Sequence, residues 1–227
     1  MTEANFDEIA GEYDESLPAH VVQHYLDKRV QFVADRTLPG RGLDVGCGTG
    51  VLAARLAALG WQMDGIDPSQ GMLDVMAREA PEVGGKRAFG DDLPYEDSMF
   101  DLVITVAALH HVAEPAAVRG TLIEMARVVK PGGRIVVWDH TPRNPYWKLL
   151  MARVPQDDGT ERLIPEDEVL AGLRAGGAEI ISSDQLGFVP DFVPPRFLGA
   201  IEKAEDRVER TPGLRRLCAH NVVTATK

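Results

Sequence analysis

Three glycines at alternate positions, Gly46, Gly48 and Gly50, follow the run Leu43–Val45 and precede the amphipathic run Val51–Leu59. Glycine at such positions lets the backbone turn sharply and approach a ligand where a side chain would collide with it. The helix that the second run predicts would offer unbonded N–H groups and the positive end of its dipole to that ligand. The G-x-G-x-G spacing differs from the G-x-G-x-x-G of dinucleotide enzymes, because apolar residues stand where a later third glycine would be. The loop therefore predicts a nucleoside ligand other than a nicotinamide dinucleotide.

Acidic and imidazole side chains recur where the predicted strands end. Asp67 follows the second apolar run, about 20 residues beyond the glycine loop, where a carboxylate can accept both hydroxyls of a ribose. Asp91 and Asp92 follow the third run, and His110 and His111 follow the fourth. Because ligands bind beyond the carboxyl ends of parallel strands, we expect these side chains to meet at one edge of the sheet.

Apolar runs alternate with helical patterns along the chain, in the order expected of an α/β fold with a Rossmann-like, doubly wound sheet. Ser69 is of a type that caps helices, and Pro115 of a type that starts them. The Pro131-Gly132-Gly133 sequence predicts a turn. The predicted strands are Arg41–Val45, Trp61–Ile66, Lys86–Phe89, Asp101–Val106, Arg134–Trp138 and two around Ile180 and Val222, and the predicted helices are Val51–Leu59, Ser69–Arg78, Pro115–Val129, Glu166–Arg174 and Arg196–Glu209.

Five motifs in this order resemble those of the class I S-adenosylmethionine-dependent methyltransferases, most of all the small-molecule and quinone-biosynthesis branch. The resemblance implies a mostly parallel seven-stranded sheet with its last strand antiparallel. It also implies S-adenosyl-L-methionine as cofactor, S-adenosyl-L-homocysteine as product, and transfer of a methyl group to an oxygen, carbon or nitrogen of a small-molecule acceptor. The motifs are Asp44–Gly50, Gly65–Asp67, Gly90–Pro94, Leu109–His111 and Arg127–Gly133.

The resemblance implies a role for each motif residue. The glycine loop, with Cys47, lets the backbone approach the methionine end of the cofactor, and Asp44 orients that loop or the ligand ammonium group. Asp67 accepts hydrogen bonds from the ribose hydroxyls, and Ala107 contributes backbone near the sulfonium. The implied adenine contacts are Pro68, Met72, the Asp91 side chain and the Asp92 backbone.

An N-terminal segment from Phe6 to Asp14 is similar to the family's lid. Phe6, Ile9, Ala10 and Tyr13 share one helical face, and the resemblance implies that Tyr13 reaches over the cofactor carboxylate. An amphipathic helix that simply covers the sheet is the alternative, and both descriptions can hold together.

Three histidines, His110, His111 and His140, are candidates for a general base and are predicted near the rim of the pocket. A free imidazole has a pKa of about 6.5, which suits it to accept a proton at neutral pH. His110 and His111 can equally line the pocket or cap a helix without titrating, and transfer without any base is a further alternative. We predict no metal site, because adjacent histidines rarely bind one ion and no third ligand is evident.

Two aromatic segments are candidates for the acceptor pocket. Tyr146 and Trp147 follow the fifth predicted strand, and Phe188 and Phe192 follow the sixth. Ligand sites are usually apolar. Ordinary cap elements that bury these residues for stability would have the same composition, so both interpretations stay open.

Composition restricts the domain organisation and the partners. With 227 residues and a net charge of −11, the chain fits one domain and lacks the basic surface that a nucleic-acid partner needs. Two cysteines without a metal-binding spacing, and no apolar stretch near 18 residues, predict a cytoplasmic protein without a membrane span. Within the single domain 1–227, the predicted parts are a helical lid over 1–38, a cofactor-binding core over 39–140, and substrate cap elements over 141–165 and 188–210.

Two other functions stay open at this point. One is a catalytically silent protein that binds S-adenosylmethionine, and the other is an NAD-linked oxidoreductase of similar fold. The glycine spacing weighs against the oxidoreductase, and turnover would distinguish an enzyme from the silent protein.

Overall fold

Seven strands form one sheet, in the order β3-β2-β1-β4-β5-β7-β6, in a computed structural model that describes residues 6–11, 13, 18–144, 147 and 161–227. Parallel pairing joins β3, β2, β1, β4 and β5, and β7 runs antiparallel to both of its neighbours. The predicted class, an α/β Rossmann-like sheet whose last strand is antiparallel, is confirmed. The strands are β1 Arg41–Val45, β2 Gln62–Asp67, β3 Gly84–Arg87, β4 Phe100–Val106, β5 Val129–His140, β6 Glu179–Leu186 and β7 His220–Thr226.

Helices cover both faces of this sheet. The predicted cap of the helix that follows β2 is present, since the Ser69 hydroxyl accepts a hydrogen bond from the Met72 N–H at 3.1 Å. None of the helices in the described part of the chain is both long and apolar enough to cross a membrane. The helices are α1 Phe6–Ile9, α2 Ala19–Ala34, α3 Val51–Ala57, α4 Gln70–Glu79, α5 Pro115–Val128, α6 Glu166–Ala175 and α7 Leu198–Arg210.

Alternate residues of the central strands divide the apolar core into two layers. On β4, Leu102 packs with α2, α3 and α4, whereas Val103 packs with α5 and α6. On β5, Trp138 belongs to the first layer and Val137 to the second. Because side chains alternate along a strand and both faces are covered, the edge formed by the carboxyl ends of the parallel strands is where a ligand can enter.

The structure moves two predicted boundaries. The third strand is Gly84–Arg87 instead of Lys86–Phe89, because it is an exposed edge strand that carries no buried-face pattern. Val129 does not end α5 but begins β5 by pairing with Phe100. The predicted turn at 131–133 is therefore an irregularity inside one continuous strand.

A buried carboxylate joins α2 to α7. Glu205 is 1% exposed and accepts hydrogen bonds from Lys28 Nζ at 2.7 Å and from His24 Nε2 at 2.9 Å. It also accepts one from the Phe188 N–H at 2.6 Å, in the segment between β6 and α7. Burial alone raises the pKa of Glu205, but the bond from His24 and the charge of Lys28 outweigh it and lower that pKa to about 2. Glu205 is thus an ionised hub that fastens α7 and the preceding segment to α2.

We expect Glu205→Gln to lower the free energy of unfolding by about 3 kcal/mol, the lower end of the range for breaking a buried ion pair. The lower end applies because Lys28 retains its ion pair with Glu209, at 2.7 Å, when Glu205 is replaced. Glu202→Gln is the matched control, since the Glu202 side chain is 43% exposed and bonds the other ring nitrogen of His24. Loss of the Glu202 carboxylate should lower the free energy of unfolding by less than about 1 kcal/mol. Urea unfolding at neutral pH measures both, and equal losses would contradict the assignment of Glu205 as the hub.

The same carboxylate predicts an acid dependence of stability. The pKa of Glu205 falls from an ordinary value of 4.5 to about 2 in the folded protein. Its contribution to stability is therefore complete above the ordinary pKa and is lost as the pH falls toward the folded value. Over that interval, the free energy of unfolding of the wild type should fall more steeply than that of Glu205→Gln.

Candidate functional site

The glycine loop that follows β1 is tied to the end of the neighbouring strand β2. The N–H groups of Gly46 and Cys47 both donate to the Ile66 carbonyl, at 2.8 and 2.9 Å. Gly46, Gly48 and Gly50 have φ angles of 76°, 54° and 78°, a left-handed conformation that favours glycine. The spacing of the glycines is thus required by the path of the backbone.

Two of these glycines are also required by close packing. A Cβ on Gly46 would lie 2.6 Å from the Cβ of Ala108, just beyond β4, and a Cβ on Gly50 would collide with Met76 of α4. A Cβ on Gly48 would meet no atom of the described residues within 4 Å. Gly48 therefore faces open space, where a ligand can approach the backbone.

The side chain of Cys47 does not face this space. Its Sγ lies 3.8 Å from the Sδ of Met76 in the core, and burial raises its pKa well above the ordinary range. The resemblance implies that Cys47 belongs to the loop whose backbone approaches the cofactor. Only its backbone is available to a ligand, because the side chain fills the core beneath the loop.

Asp67 ends β2 with its carboxylate fixed by two backbone donors. Its Oδ2 accepts from the Gly48 N–H and its Oδ1 from the Ser69 N–H, each at 2.9 Å. Burial raises the pKa of Asp67, and these two bonds oppose the rise. Each oxygen keeps a further lone pair, so the group can accept two more hydrogen bonds from a diol such as a ribose.

The buried Asp44 carboxylate and the partly buried Arg29 guanidinium carry opposite charges but form no ion pair with each other. Asp44 is 3% exposed, and burial together with the charge of Asp67 raises its pKa to about 7, against the opposing influence of Arg29. The guanidinium carbon of Arg29, on α2, lies 5.9 and 6.0 Å from the ring centres of Tyr25 and Trp138. Its buried Nε has no hydrogen-bond partner, and neither charge has an ion-pair partner among the described side chains. A ligand that carries both an ammonium and a carboxylate group would supply an ion-pair partner for Asp44 and another for Arg29.

Sequence reasoning missed Arg29, although a signal for it exists. Leu26, Phe32 and Val33 are buried residues of α2, and Arg29 lies one helical turn from each of them. A cation within the apolar stripe of an amphipathic helix is unusual. It points to a role for the charge at the buried face.

The helix α1 contacts both sides of the site. Asp7 Oδ1 accepts hydrogen bonds from the Ser69 hydroxyl at 2.6 Å and from a backbone N–H of α4 at 2.8 Å. The Phe6 ring packs edge-on against His111, beyond the end of β4, with ring centroids 5.0 Å apart. Tyr13 lies 6.2 Å from Phe6, ring to ring. The helix α1 therefore bridges the segments that follow β2 and β4, and its role as a lid stays a prediction.

The residues predicted to contact adenine differ in exposure. Met72, in the first turn of α4, is 2% exposed, whereas Pro68, Asp91 and Asp92 are exposed. A Cβ on Gly120 would lie only 2.8 Å from the Cβ of Asp91, so Asp91 lies close against α5. An apolar side chain and carboxylates are the two kinds of group that a flat base with polar edges requires.

Ala107 connects β4 to the histidines in a strained conformation. Its φ of 51° is uncommon for a residue with a Cβ and costs roughly 1–2 kcal/mol. Its N–H donates to the Trp138 carbonyl at 2.8 Å, which holds the segment against β5. Backbone strain of this kind concentrates at functional sites.

A buried carboxylate holds one of the three candidate histidines. His110 Nδ1 lies 2.8 Å from Asp139 Oδ1, and the two side chains are 5% and 4% exposed. Asp139 also accepts from the Leu109 N–H at 2.8 Å and from the His140 N–H at 2.7 Å. Burial alone raises the pKa of Asp139, but the charge and hydrogen bond of His110 outweigh it and lower the pKa. Sequence reasoning missed Asp139, and a lone carboxylate at the end of a buried apolar strand was the signal for it.

His140 lies in a stack of aromatic rings. Its ring is 3.7 Å from that of Trp147, 4.3 Å from His110 and 5.2 Å from His220. Burial and the nearby cationic groups lower the pKa of His140 well below 6.5, and burial lowers that of His220 to about 3. The Nδ1 atoms of both rings are buried and without a hydrogen-bond partner in the described part of the chain. Both rings are therefore neutral at physiological pH.

The structure brings only part of the predicted acceptor pocket to this place. Trp147 stacks on His140, and its Nε1 donates to the Ala219 carbonyl. Phe188 is half-buried, and Phe192 is 69% exposed, both in the segment before α7. Tyr146 lies outside the described residues. Within those residues, no three His, Cys, Asp or Glu side chains are arranged to hold a metal ion.

Sequence relatives identify the domain. Residues 43–137 match the family model described as a methyltransferase domain. A demethylmenaquinone methyltransferase of Renibacterium salmoninarum is 34% identical over 160 residues, which are 67% of this chain and 66% of that protein. An uncharacterized methyltransferase of Mycobacterium bovis is 33% identical over 120 residues, 52% of this chain and 48% of that protein. The chain thus spans about half the length of such curated relatives.

A solved structure agrees in fold. A SAM-dependent methyltransferase from Thermotoga maritima has a TM-score of 0.74 at 21% identity, over 100% of both chains. At this identity the likeness shows the fold, while the sequence matches carry the family and favour it over the oxidoreductase alternative. The chain belongs to the S-adenosylmethionine-dependent methyltransferases, and residues 43–137 lie in its methyltransferase domain.

Proposed function

We propose that the whole protein transfers the methyl group of S-adenosyl-L-methionine to an oxygen, carbon or nitrogen atom of a small-molecule acceptor, by in-line displacement. The observation that carries the proposal is the pair of opposite charges, Asp44 and Arg29, beside a glycine loop bonded to Asp67. Neither charge has an ion-pair partner in the part of the chain that the structure describes.

Each chemical group of this cofactor has residues in the site that suit it. Its amino-acid end carries one ammonium and one carboxylate, which Asp44 and Arg29 would hold, with Tyr13 beside the carboxylate. Asp67 would accept hydrogen bonds from the ribose hydroxyls, because both of its oxygens keep a lone pair. The proposed adenine contacts are Pro68, Met72, the Asp91 side chain and the Asp92 backbone.

When bound, the cofactor supplies a methyl group that its sulfonium already activates. The chain must hold the acceptor in line with that group and exclude water, and such positioning can lower the barrier by about 7–11 kcal/mol. α1, docked through Asp7 on one side and Phe6 on the other, is the element placed to exclude water. The acceptor atom would supply the electron pair of the new bond to the methyl carbon, and the pair of the broken carbon–sulfur bond would stay on the sulfur of the product, which Asp44, Arg29 and Asp67 would hold.

A flat acceptor of the quinol type is the substrate class that we propose. One relative at 34% identity is a demethylmenaquinone methyltransferase, and the stacked rings of Trp147 and His140 offer a flat aromatic wall. Tyr146, Phe188 and Phe192 stay predicted acceptor contacts. The net charge of −11 argues against a nucleic-acid acceptor. The division into lid, core and cap and the cytoplasmic location also stay predictions.

The direct test supplies the protein with isotopically labelled cofactor and a metabolite extract, and identifies labelled products by mass spectrometry. We expect a labelled small molecule that forms only when the protein is present. Label found only in nucleic acid or protein, or in nothing, would overturn the proposal.

We expect Asp67→Asn to weaken S-adenosyl-L-homocysteine binding by about 1.5–3 kcal/mol, the value of a charged hydrogen bond. The amide would also turn a donor toward the Gly48 or Ser69 N–H, since each of these needs an acceptor. Asp64→Asn, on the same strand but paired with Arg41, is the control and should leave the Kd unchanged. Titration calorimetry measures both, and an unchanged Kd for Asp67→Asn excludes its ribose role.

A second binding experiment tests the amino-acid end alone. Arg29→Met should raise the Kd for S-adenosyl-L-homocysteine about tenfold or more, because a charged hydrogen bond is lost. Methylthioadenosine lacks the amino-acid end, so its Kd should not change. Arg36→Met, an exposed cation just beyond α2, is the matched control. Equal weakening of both ligands would show that Arg29 acts on the fold and not on the carboxylate.

A further inference from the structure

We propose that a cavity beside strand β6 is a second binding site, which holds the carboxylate or phosphate group of a small acidic molecule. Ligand pockets usually measure about 300–1,000 Å³. This cavity measures about 280 Å³, so it fits a small ligand or one group of a larger molecule. The inference goes beyond the proposed methyl transfer and does not depend on it. The lining residues are Ser183, Gln185, Pro212, Gly213, Arg215 and Arg216.

The cavity lies at the same edge of the sheet as the glycine loop, but far along it. Strand β6 runs parallel to β5, because both are antiparallel to β7, and Gln185 is the residue before its last. The strands β4, β5 and β7 separate β6 from β1. At about 4.8 Å between neighbouring strands, β6 is roughly 19 Å from β1. A ligand in the cavity therefore does not occupy the place of the cofactor.

Two arginines give the cavity its positive charge. Arg215 is partly buried, Arg216 is exposed, and neither has an ion-pair partner among the described side chains. One carboxylate also borders the cavity, since Glu166 accepts from the Ser183 hydroxyl at 2.5 Å, but it is paired with Arg143 at 2.9 Å. The other two guanidinium groups thus remain for a ligand, in a chain whose net charge is −11. Arginine bonds carboxylate and phosphate groups with two parallel hydrogen bonds.

The backbone that carries these two arginines is held on two sides. The amide nitrogen of Gln185 donates to the Arg215 carbonyl at 3.2 Å, and its oxygen accepts from the Arg143 guanidinium. Asn144 Nδ2 donates to the Leu217 carbonyl at 2.8 Å. The cationic wall is thus in place before a ligand arrives, and a preorganised site loses less entropy on binding.

A buried amide without partners lies one strand further in. Asn221 is 4% exposed, and neither its Nδ2 nor its Oδ1 has a hydrogen-bond partner in the described part of the chain. On β7 it stands opposite Gln185 of β6, so the two side chains share one face of the sheet, with Cβ atoms about 5 Å apart. Water or a ligand usually completes a buried amide of this kind. A molecule that reaches past Gln185 would give Asn221 the partners that the protein does not provide.

These groups define the chemistry of the ligand. The two guanidinium groups require an anion, and the amide behind them suits an uncharged polar group such as a hydroxyl. An acidic substituent of the methyl acceptor and a separate small anion both have this chemistry. The first is within reach, because Trp147 stacks at the end of β5, which is two strands, or roughly 10 Å, from β6.

Binding of inorganic phosphate and of benzoate to the full chain tests the site without turnover. We expect saturable shifts of the side-chain Nε–H NMR signals of Arg215 and Arg216 with both anions, and none with benzyl alcohol, which is neutral. Arg215→Gln and Arg216→Gln should each raise the Kd about tenfold, because a charged hydrogen bond is lost. Arg119→Gln, which removes an exposed cation of α5, is the matched control and should leave the Kd unchanged. The absence of saturable shifts, or equal weakening by Arg119→Gln, would overturn the site.

The melting temperature of Asn221→Leu tests the inner part of the site. Because the amide has no partner to lose, this variant should melt no lower than the wild type. Asn144→Leu, which loses the bond to the Leu217 carbonyl, is the control and should melt lower. A fall for Asn221→Leu as large as that for Asn144→Leu would show that the protein already satisfies the amide, and would remove Asn221 from the site.

Competition with methylation distinguishes the two sources of the anion. If the acid belongs to the acceptor, phosphate and Arg215→Gln should both raise the KM for the acceptor, with an unchanged Kd for S-adenosyl-L-homocysteine. If the anion is a separate ligand, phosphate should bind equally well in the presence of saturating acceptor. If the protein methylates no small molecule, the proposed function fails, whereas the NMR titration still decides whether Arg215 and Arg216 bind an anion.

Discussion

Three hydrogen bonds between the glycine loop and the end of β2 are the constraint on which the site depends. The N–H groups of Gly46 and Cys47 bond the Ile66 carbonyl, and the Gly48 N–H bonds Asp67. They fix a left-handed backbone against a strand, so the loop does not have to be ordered by its ligand. They also orient the carboxylate that would receive the ribose, which makes loop and carboxylate one rigid unit.

In this molecule, the charged cluster that stabilises the fold is fully paired, whereas the charged groups of the candidate site are not. Around Glu205, a carboxylate, a lysine and a histidine satisfy one another and fasten α7 to α2. At the carboxyl edge, the buried Asp44 and the partly buried Arg29 have no ion-pair partner in the described residues. Leaving such charges unpaired costs stability, so a ligand that supplies both complements gains binding energy from groups already in place. This contrast distinguishes a binding site from a structural cluster more clearly than the residue types do.

The sequence was sufficient for features that local rules determine. Alternation of apolar runs, the Ser69 cap and the glycine spacing predicted the sheet and the loop, and the position of Asp67 followed from the strand that it ends. Arg29 and Asp139 were missed because their meaning depends on groups distant in the chain, on β1 and β5 for Arg29 and beyond β4 for Asp139. The edge strand β3 was misplaced because exposure on both faces removes the pattern that marks a strand.

The helix α1 gives the two halves of the site a physical connection. Asp7 binds Ser69 and the start of α4 on one side, and Phe6 rests on His111, next to His110, on the other. The helix α1 therefore links the segments that follow β2 and β4. Under the proposed function, a site that must keep water away from an activated methyl group needs such a connection between its two halves. Here a helix of four residues, Phe6–Ile9, supplies it through one carboxylate and one aromatic ring.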